Sequence, residues 1–290
     1  MNERKAASIT PRIKRVLTGA WRPQMGAGSI ARTLNRFAFV FSLTVVLVFS
    51  TLLPALGQTS RAKSYPTVVL VHGAWADGSS WSKVIPLLEA KGLHVVAVQL
   101  PLTAIADDVA TTERAIALQN GPVLLVGHSY GGVVITEAGN DPKVVGMVYV
   151  AAFAPDAGES VFGISQLYPA TPVGAEIRPD SYGFLSLTPT GIWEDFAPDL
   201  SHLEKAILTA TQGPTNVSCF STNVTVAAWN TKPTWFVVAS EDRVISPELE
   251  EAEAERMNAT TITLHSSHVA MLSHPREVAD LIEEAATGSR

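Results

Sequence analysis

Ser129 sits in Gly127-His128-Ser129-Tyr130-Gly131, a Gly-x-Ser-x-Gly pattern whose residue types suit nucleophilic chemistry. A serine hydroxyl attacks a carbonyl carbon only when a base takes its proton, a carboxylate holds that base in the right tautomer, and donors receive the charge developing on oxygen. The glycines serve the nucleophile itself. On either side of a sharp strand-to-helix turn they let the chain bend tightly enough to hold the hydroxyl clear of its own backbone. The flanks suit such a turn: Val123-Leu124-Leu125-Val126 is an apolar run before it, and Val133-Val134-Ile135-Thr136-Glu137-Ala138 can continue as a helix after it.

Where a nucleophile stands on a turn of this kind, an acid and then a histidine follow it in the chain, each on a loop after a strand. Trp235-Phe236-Val237-Val238 is an apolar strand that ends in Ser240-Glu241-Asp242-Arg243. Asp242 is the candidate acid, with Glu241 its competitor one residue nearer the strand. The next strand, at 260–264, leads into His265-Ser266-Ser267-His268, with His274 close behind. His268 is the candidate base, because it falls between the last strand and the final amphipathic helix, from where it can reach back over the turn. His265 and His274 read as surface residues. Three histidines so close together also raise a metal site, but no carboxylate or cysteine stands between His265 and His268 and there is no His-Glu-x-x-His helix. No metal and no other cofactor is expected.

Backbone amides are the simplest donors for the developing oxyanion. One is expected from Tyr130, at the start of the helix after Ser129, and the other from Ala74, in the loop that His72-Gly73-Ala74 opens after the first strand. His72 precedes the nucleophile and reads as a turn-former.

These groups need a scaffold to bring them together. Strands are expected at 67–71, 94–98, 123–127, 144–150, 234–238 and 260–264, and helices at about 81–91, 105–119, 130–139, 247–257 and 275–286. Strand and helix in alternation predict an α/β protein with a mostly parallel, doubly wound sheet. Between Ala151 and Lys232 the alternation stops.

Taken together, His72-Gly73-Ala74 with Trp81, Gly127 to Gly132, Ser240 to Ile245 and Ser267-His268-Val269 resemble the α/β-hydrolase superfamily. Within it they resemble the branch that holds plant methyl esterases, hydroxynitrile lyases and many bacterial relatives. The resemblance runs from Pro66 to Ala286 and implies Ser129 as nucleophile, His268 as base, Asp242 as acid, and Ala74 with Tyr130 as oxyanion donors. It also implies a largely helical cap inserted over the site, here at 156–230. Phe162, Leu167, Tyr168, Tyr182, Phe184, Trp193 and Phe196 of that insertion, with Trp75 and His128 beside the two motifs, are expected to line the substrate pocket, and they favour an apolar acyl or alcohol group. The lyases resemble this chain but carry Thr in place of Gly73 and Lys in place of Val269, a lysine that serves the cyanide leaving group. These departures favour hydrolysis of a carboxylic ester through an acyl-enzyme. A lyase or carbon–carbon bond cleaving enzyme on the same groups, and a small-molecule receptor that retains them, stay as alternatives.

With 290 residues, 47% hydrophobic and 17% charged, the chain has the apolar content for one large domain, at 58–290. Residues 1–36 hold eight basic side chains and one acid, Phe37 to Leu53 is uncharged and mostly apolar, and Pro54-Ala55-Leu56-Gly57 follows with a helix breaker and small residues. This pattern reads as an export signal at 1–57, giving a periplasmic or secreted enzyme, or as a membrane anchor at 37–56; Met25 would give the signal a more ordinary length. Without residues 1–57 there remain 13 basic against 26 acidic side chains, a net charge of −13. That excess disfavours nucleic acid and anionic membrane surfaces as partners. The single cysteine, Cys219, excludes an internal disulfide and reads as a small buried residue. The oligomeric state stays open, a homodimer included.

Overall fold

The computed structural model describes residues 65–288, so the expected export signal and its anchor alternative lie outside the described residues. Among the described residues no helix is long and apolar enough to cross a membrane. The chain first lays down β1 (Thr67–Val71), α1 (Ile85–Ala90), β2 (Val95–Ala97), α2 (Ile105–Ala117), β3 (Val123–Ser129), α3 (Tyr130–Ala138) and β4 (Val144–Ala152). An insertion follows, with α4 (Val161–Ser165), β5 (Ile177–Pro179), β6 (Phe184–Leu187), α5 (His202–Thr211), β7 (Thr215–Asn216) and α6 (Ser218–Ser221). The body is then completed by β8 (Thr234–Ala239), α7 (Pro247–Arg256), β9 (Thr260–Leu264), α8 (Ala270–Ser273) and α9 (Pro275–Thr287).

Six strands form one sheet in the order β2-β1-β3-β4-β8-β9, and every pairing is parallel. Parallel strands are covered by helices on both faces, which is why they read as unbroken apolar runs. All seven residues of β3 are buried. Each Val or Leu so enclosed contributes ~1.5–3 kcal/mol relative to exposure. The strand order reverses between β1 and β3, since β2 lies on one side of β1 and every later strand on the other. Open α/β sheets bind ligands outside the carboxyl ends of the strands at such a reversal, and the loops after β1 and β3 meet there.

Two local features differ from the sequence expectation. The helix foreseen from Trp81 starts at Ile85, because Pro86 lacks an N–H and is tolerated only in a first turn; before it, Gly78–Trp81 form a 3-10 turn capped by Asp77. The insertion is helical in large part but also carries a three-stranded antiparallel sheet, β5-β6-β7. Strands of two to four residues are too short for alternation to register in sequence.

Candidate active site

Ser129, the last residue of β3, adopts φ 53° and ψ −124°, a conformation that costs a non-glycine residue ~1–3 kcal/mol and persists only where its surroundings enforce it. The surroundings are tight. A Cβ on Gly127 would lie 2.6 Å from Gly131 O, and one on Gly131 would lie 2.5 Å from Val71 O, so the turn folds back on itself and onto β1. The loop after β1 is equally close, since a Cβ on Gly73 would come 2.7 Å from Ser129 Cβ. That approach brings Ala74, which is buried, to the vicinity of Ser129. The next amide along, that of Trp75, donates to Thr215 Oγ1 at 3.3 Å, and the Trp75 indole donates to Leu185 O at 2.9 Å. Tyr130 is fixed from below, its hydroxyl donating to Asp108 Oδ2 at 2.7 Å while Asp108 Oδ1 accepts the Leu102 amide at 2.9 Å.

Asp242 and His268, both fully enclosed, meet at 2.6 Å between Oδ2 and Nδ1. The other carboxylate oxygen, Oδ1, accepts the amides of Val244 at 2.6 Å and Ile245 at 3.0 Å. A carboxylate can only accept, so His268 carries its proton on Nδ1 and presents a lone pair on Nε2. That Nε2 is buried and has no hydrogen-bond partner; no bond joins it to Ser129 Oγ. Such bonds are often long in unliganded enzymes and tighten with substrate in place. Glu241, the competing acid, is exposed and lies 3.3 Å from the exposed His265, away from the buried pair.

His72 donates from Nδ1 to Gly73 O at 2.8 Å and accepts the Leu100 amide on Nε2 at 2.9 Å. These bonds tie the loop after β1 to the segment after β2, and burial lowers the ring's pKa. His128 corrects an expectation. It lies inside the sheet instead of lining the pocket, and its Nε2–H donates to the carbonyl of His268 at 3.0 Å, anchoring the backbone there. Burial first, then the neighbouring His268, hold its pKa well below the usual histidine range.

The insertion grips both loops. Asp195 Oδ1 accepts Arg243 Nε at 2.8 Å, one residue from Asp242. Asp199 accepts from Ser267, one residue before His268, through Oδ2 to the amide at 2.9 Å and through Oδ1 to the hydroxyl at 2.5 Å. Between them Phe196 packs edge-on against the His268 ring, centroids 5.1 Å apart. Sequence reasoning placed Phe196 on the pocket wall and did not single out the two aspartates, whose spacing carries no signal of a tie to loops so distant in the chain.

Ser129 opens into a cavity of about 390 Å³, walled by Trp75, Phe162, Tyr168, Phe220 and Leu249 among others, with no charged side chain in the lining. Trp75 and Phe162 are where the sequence reading put them. Leu167 is not: α4 ends at Ser165, the chain turns, and Leu167 is left 76% exposed while its neighbours Gln166 and Tyr168 reach the cavity. Trp193 also turns away, donating to Thr209 Oγ1 at 3.1 Å and packing on His202 of α5. Cys219 is buried as expected, and burial pushes its thiol up to about 12, which keeps it unreactive. Among the described residues, no group of three or more His, Cys, Asp or Glu side chains is placed to hold a metal ion.

The comparisons with known proteins agree with this architecture. Residues 68–281 match the model of the alpha/beta hydrolase family. An alpha/beta hydrolase of Aspergillus novofumigatus is 26% identical, covering 76% of this chain and 96% of its own. Methylesterase 1 of Arabidopsis thaliana is 28% identical, over 76% of this chain and 96% of its own. Among solved structures, a pyrethroid hydrolase from Sphingobium faniae superposes with a TM-score of 0.66 at 21% identity, covering 76% of this chain and 97% of its own. Polyneuridine aldehyde esterase does so with 0.66 at 20% identity, covering 77% and 100%. With a family match that spans the whole sheet and the insertion, this chain belongs to the alpha/beta hydrolase family.

Proposed function

We propose that the protein is a serine esterase that cleaves carboxylic esters of neutral, largely apolar molecules through an acyl-enzyme. The observation that carries this reading is the buried Asp242–His268 pair, whose 2.6 Å bond leaves the Nε2 lone pair without any other partner. In this reading Nε2 takes the proton of Ser129, Oγ attacks the ester carbonyl, and the amides of Ala74 and Tyr130 receive the oxyanion. The imidazolium then protonates the departing alcohol, and water releases the acid in the mirror-image second step. The insertion acts as a cap that excludes water. A lining without charge supports a neutral substrate, and the esterase names among the relatives support the bond type. Val269, buried and apolar, offers no charge to a cyanide leaving group.

The test is a series of p-nitrophenyl esters of increasing acyl length, run beside a cyanohydrin. Esters are expected to turn over, with KM falling as methylenes are added until the cavity is filled. An organophosphonate is expected to add to Ser129, read by mass spectrometry. Turnover of the cyanohydrin with no ester cleavage would overturn the reading. The grip of the insertion gives a further expectation: Asp199→Ala frees the loop carrying His268 and lowers kcat about three- to tenfold, the scale of lost hydrogen bonds at a partly solvated site. A kcat unchanged in steady-state assays of that variant would remove Asp199 from the account.

A further inference from the structure

Glu250 is an acidic side chain enclosed behind the site. It lies on α7, fully buried, with Oε2 accepting the Ala239 amide at 2.9 Å at the end of β8. Its other oxygen, Oε1, is buried and meets no donor. Asp242 is its acidic neighbour: the Asp242 amide donates to the carbonyl of Ala239, the residue whose N–H Glu250 holds, and the Asp242 charge acts on the Glu250 carboxyl. Two carboxylates side by side away from water cannot both be ionised, so one of them holds a proton. Asp242 faces three N–H donors, from His268, Val244 and Ile245, whereas Glu250 faces one. The negative charge therefore rests on Asp242 and the proton on Glu250. Burial first, then the charge of Asp242, push the Glu250 carboxyl well above the usual carboxylate range, in the same direction. A proton on Oε1 also relieves a buried acceptor of Glu250 that meets no donor.

We propose that Glu250 is a positioning residue of the esterase site, neutral in the working protein, that donates its Oε1 proton to Asp242 and fixes the carboxylate orienting His268; the role rests on the ester-hydrolase reading above. Glu250 thereby braces the turn at the end of β8 from both sides. It holds Ala239 through one oxygen and Asp242 through the other, while the Asp242 amide donates to Ala239 O at 3.1 Å. The titratable groups facing Glu250 are Asp242 from the β8 loop and Glu253 one turn further along α7. Arg256 and Glu159 act on Glu253, which burial pushes up to about 8.

Two substitutions separate a shared proton from simple filling of space. Glu250→Gln keeps both bonds, its NH2 facing Asp242 and its carbonyl facing Ala239, and is expected to hold kcat within about twofold near neutral pH. Glu250→Met fills similar volume without either bond and is expected to lose about tenfold in kcat with KM little changed. As pH rises, Glu250 ionises beside Asp242 in the wild type and kcat declines on the alkaline side, a decline that Glu250→Gln lacks. A Gln variant that falls as far as the Met variant, or one with the wild-type alkaline decline, overturns the proposal. Thermal unfolding across pH decides the protonation without any substrate. The unfolded chain ionises Glu250 near its ordinary value of 4.5 and the folded chain only at higher pH. Between the two the native state binds more protons, so wild-type stability falls as pH rises, and Glu250→Gln is expected to gain in Tm over the wild type as pH is raised above about 4.5. A constant Tm difference overturns the neutral Glu250. A rising difference in a protein that cleaves no ester removes the esterase reading alone and supports the neutral carboxyl.

Discussion

Ser129→Ala is expected to lower kcat/KM for a short-chain ester by about 10⁴-fold or more, while leaving the melting temperature close to that of the wild type. The loss is large because no neighbouring side chain can take over the attack: of the two hydroxyls on the turn that Gly127, Gly131 and β1 enclose, that of Tyr130 is buried and bonded to Asp108. The fold is expected to survive because alanine bears the same φ of 53° no worse than serine does, and the hydroxyl is not tied into the structure by Asp242 or His268. Residual rate reflects substrate held against the Ala74 and Tyr130 amides. Nucleophile and base act as a unit, so His268→Ala added to Ser129→Ala is expected to cost little more. Retention of more than about a tenth of the wild-type rate in Ser129→Ala, assayed on protein free of wild-type contamination, would sink the nucleophile assignment.

Asp242→Asn ranks second, with an expected loss of about 10⁴-fold in kcat and no change in shape. The direction of the asparagine is set by its surroundings. The site of Oδ1 faces the amides of Val244 and Ile245, which need an acceptor, so the carbonyl oxygen goes there and the NH2 is turned toward His268. Facing a donor, His268 must offer its Nδ1 lone pair and carry the proton on Nε2, where it can no longer accept from Ser129. Glu241→Gln is the matched control and is expected to leave kcat/KM unchanged, since the Glu241 carboxylate is exposed and lies beside the exposed His265 instead of the buried pair. Equal effects at 241 and 242 in the same assay would reopen the choice of acid.

The strands, the turn at Ser129 and the loops that bring Asp242 and His268 together were legible because each leaves a short-range trace. The inner strands β1, β3, β4 and β8 are apolar runs, and β1 and β9 match the expected bounds residue for residue. The turn at Ser129 announces itself through glycines whose Cβ atoms have no room. What sequence did not disclose depends on pairings across long separations. Asp199 meets Ser267 sixty-eight positions away, and nothing in either neighbourhood marks the other. Glu250 was hidden for a different reason: α7 has the composition of a solvated helix, with five glutamates in Pro247–Arg256, yet it turns Glu250 and Glu253 inward beside Leu249. Buried acids at one helical face depart from the usual rule for glutamate, and the first of them meets the Ala239 amide. The pocket was half legible, since Trp75 and Phe162 were placed by motif and composition, whereas the direction of Leu167 and Trp193 depended on where short helices end.

One stretch, Asp195 to Asp199, is bonded to the loop of Asp242 through Arg243 and to the loop of His268 through Ser267. Two loops far apart in the chain therefore share a single strut, and any displacement of that stretch disturbs the setting of Asp242 and of His268 together.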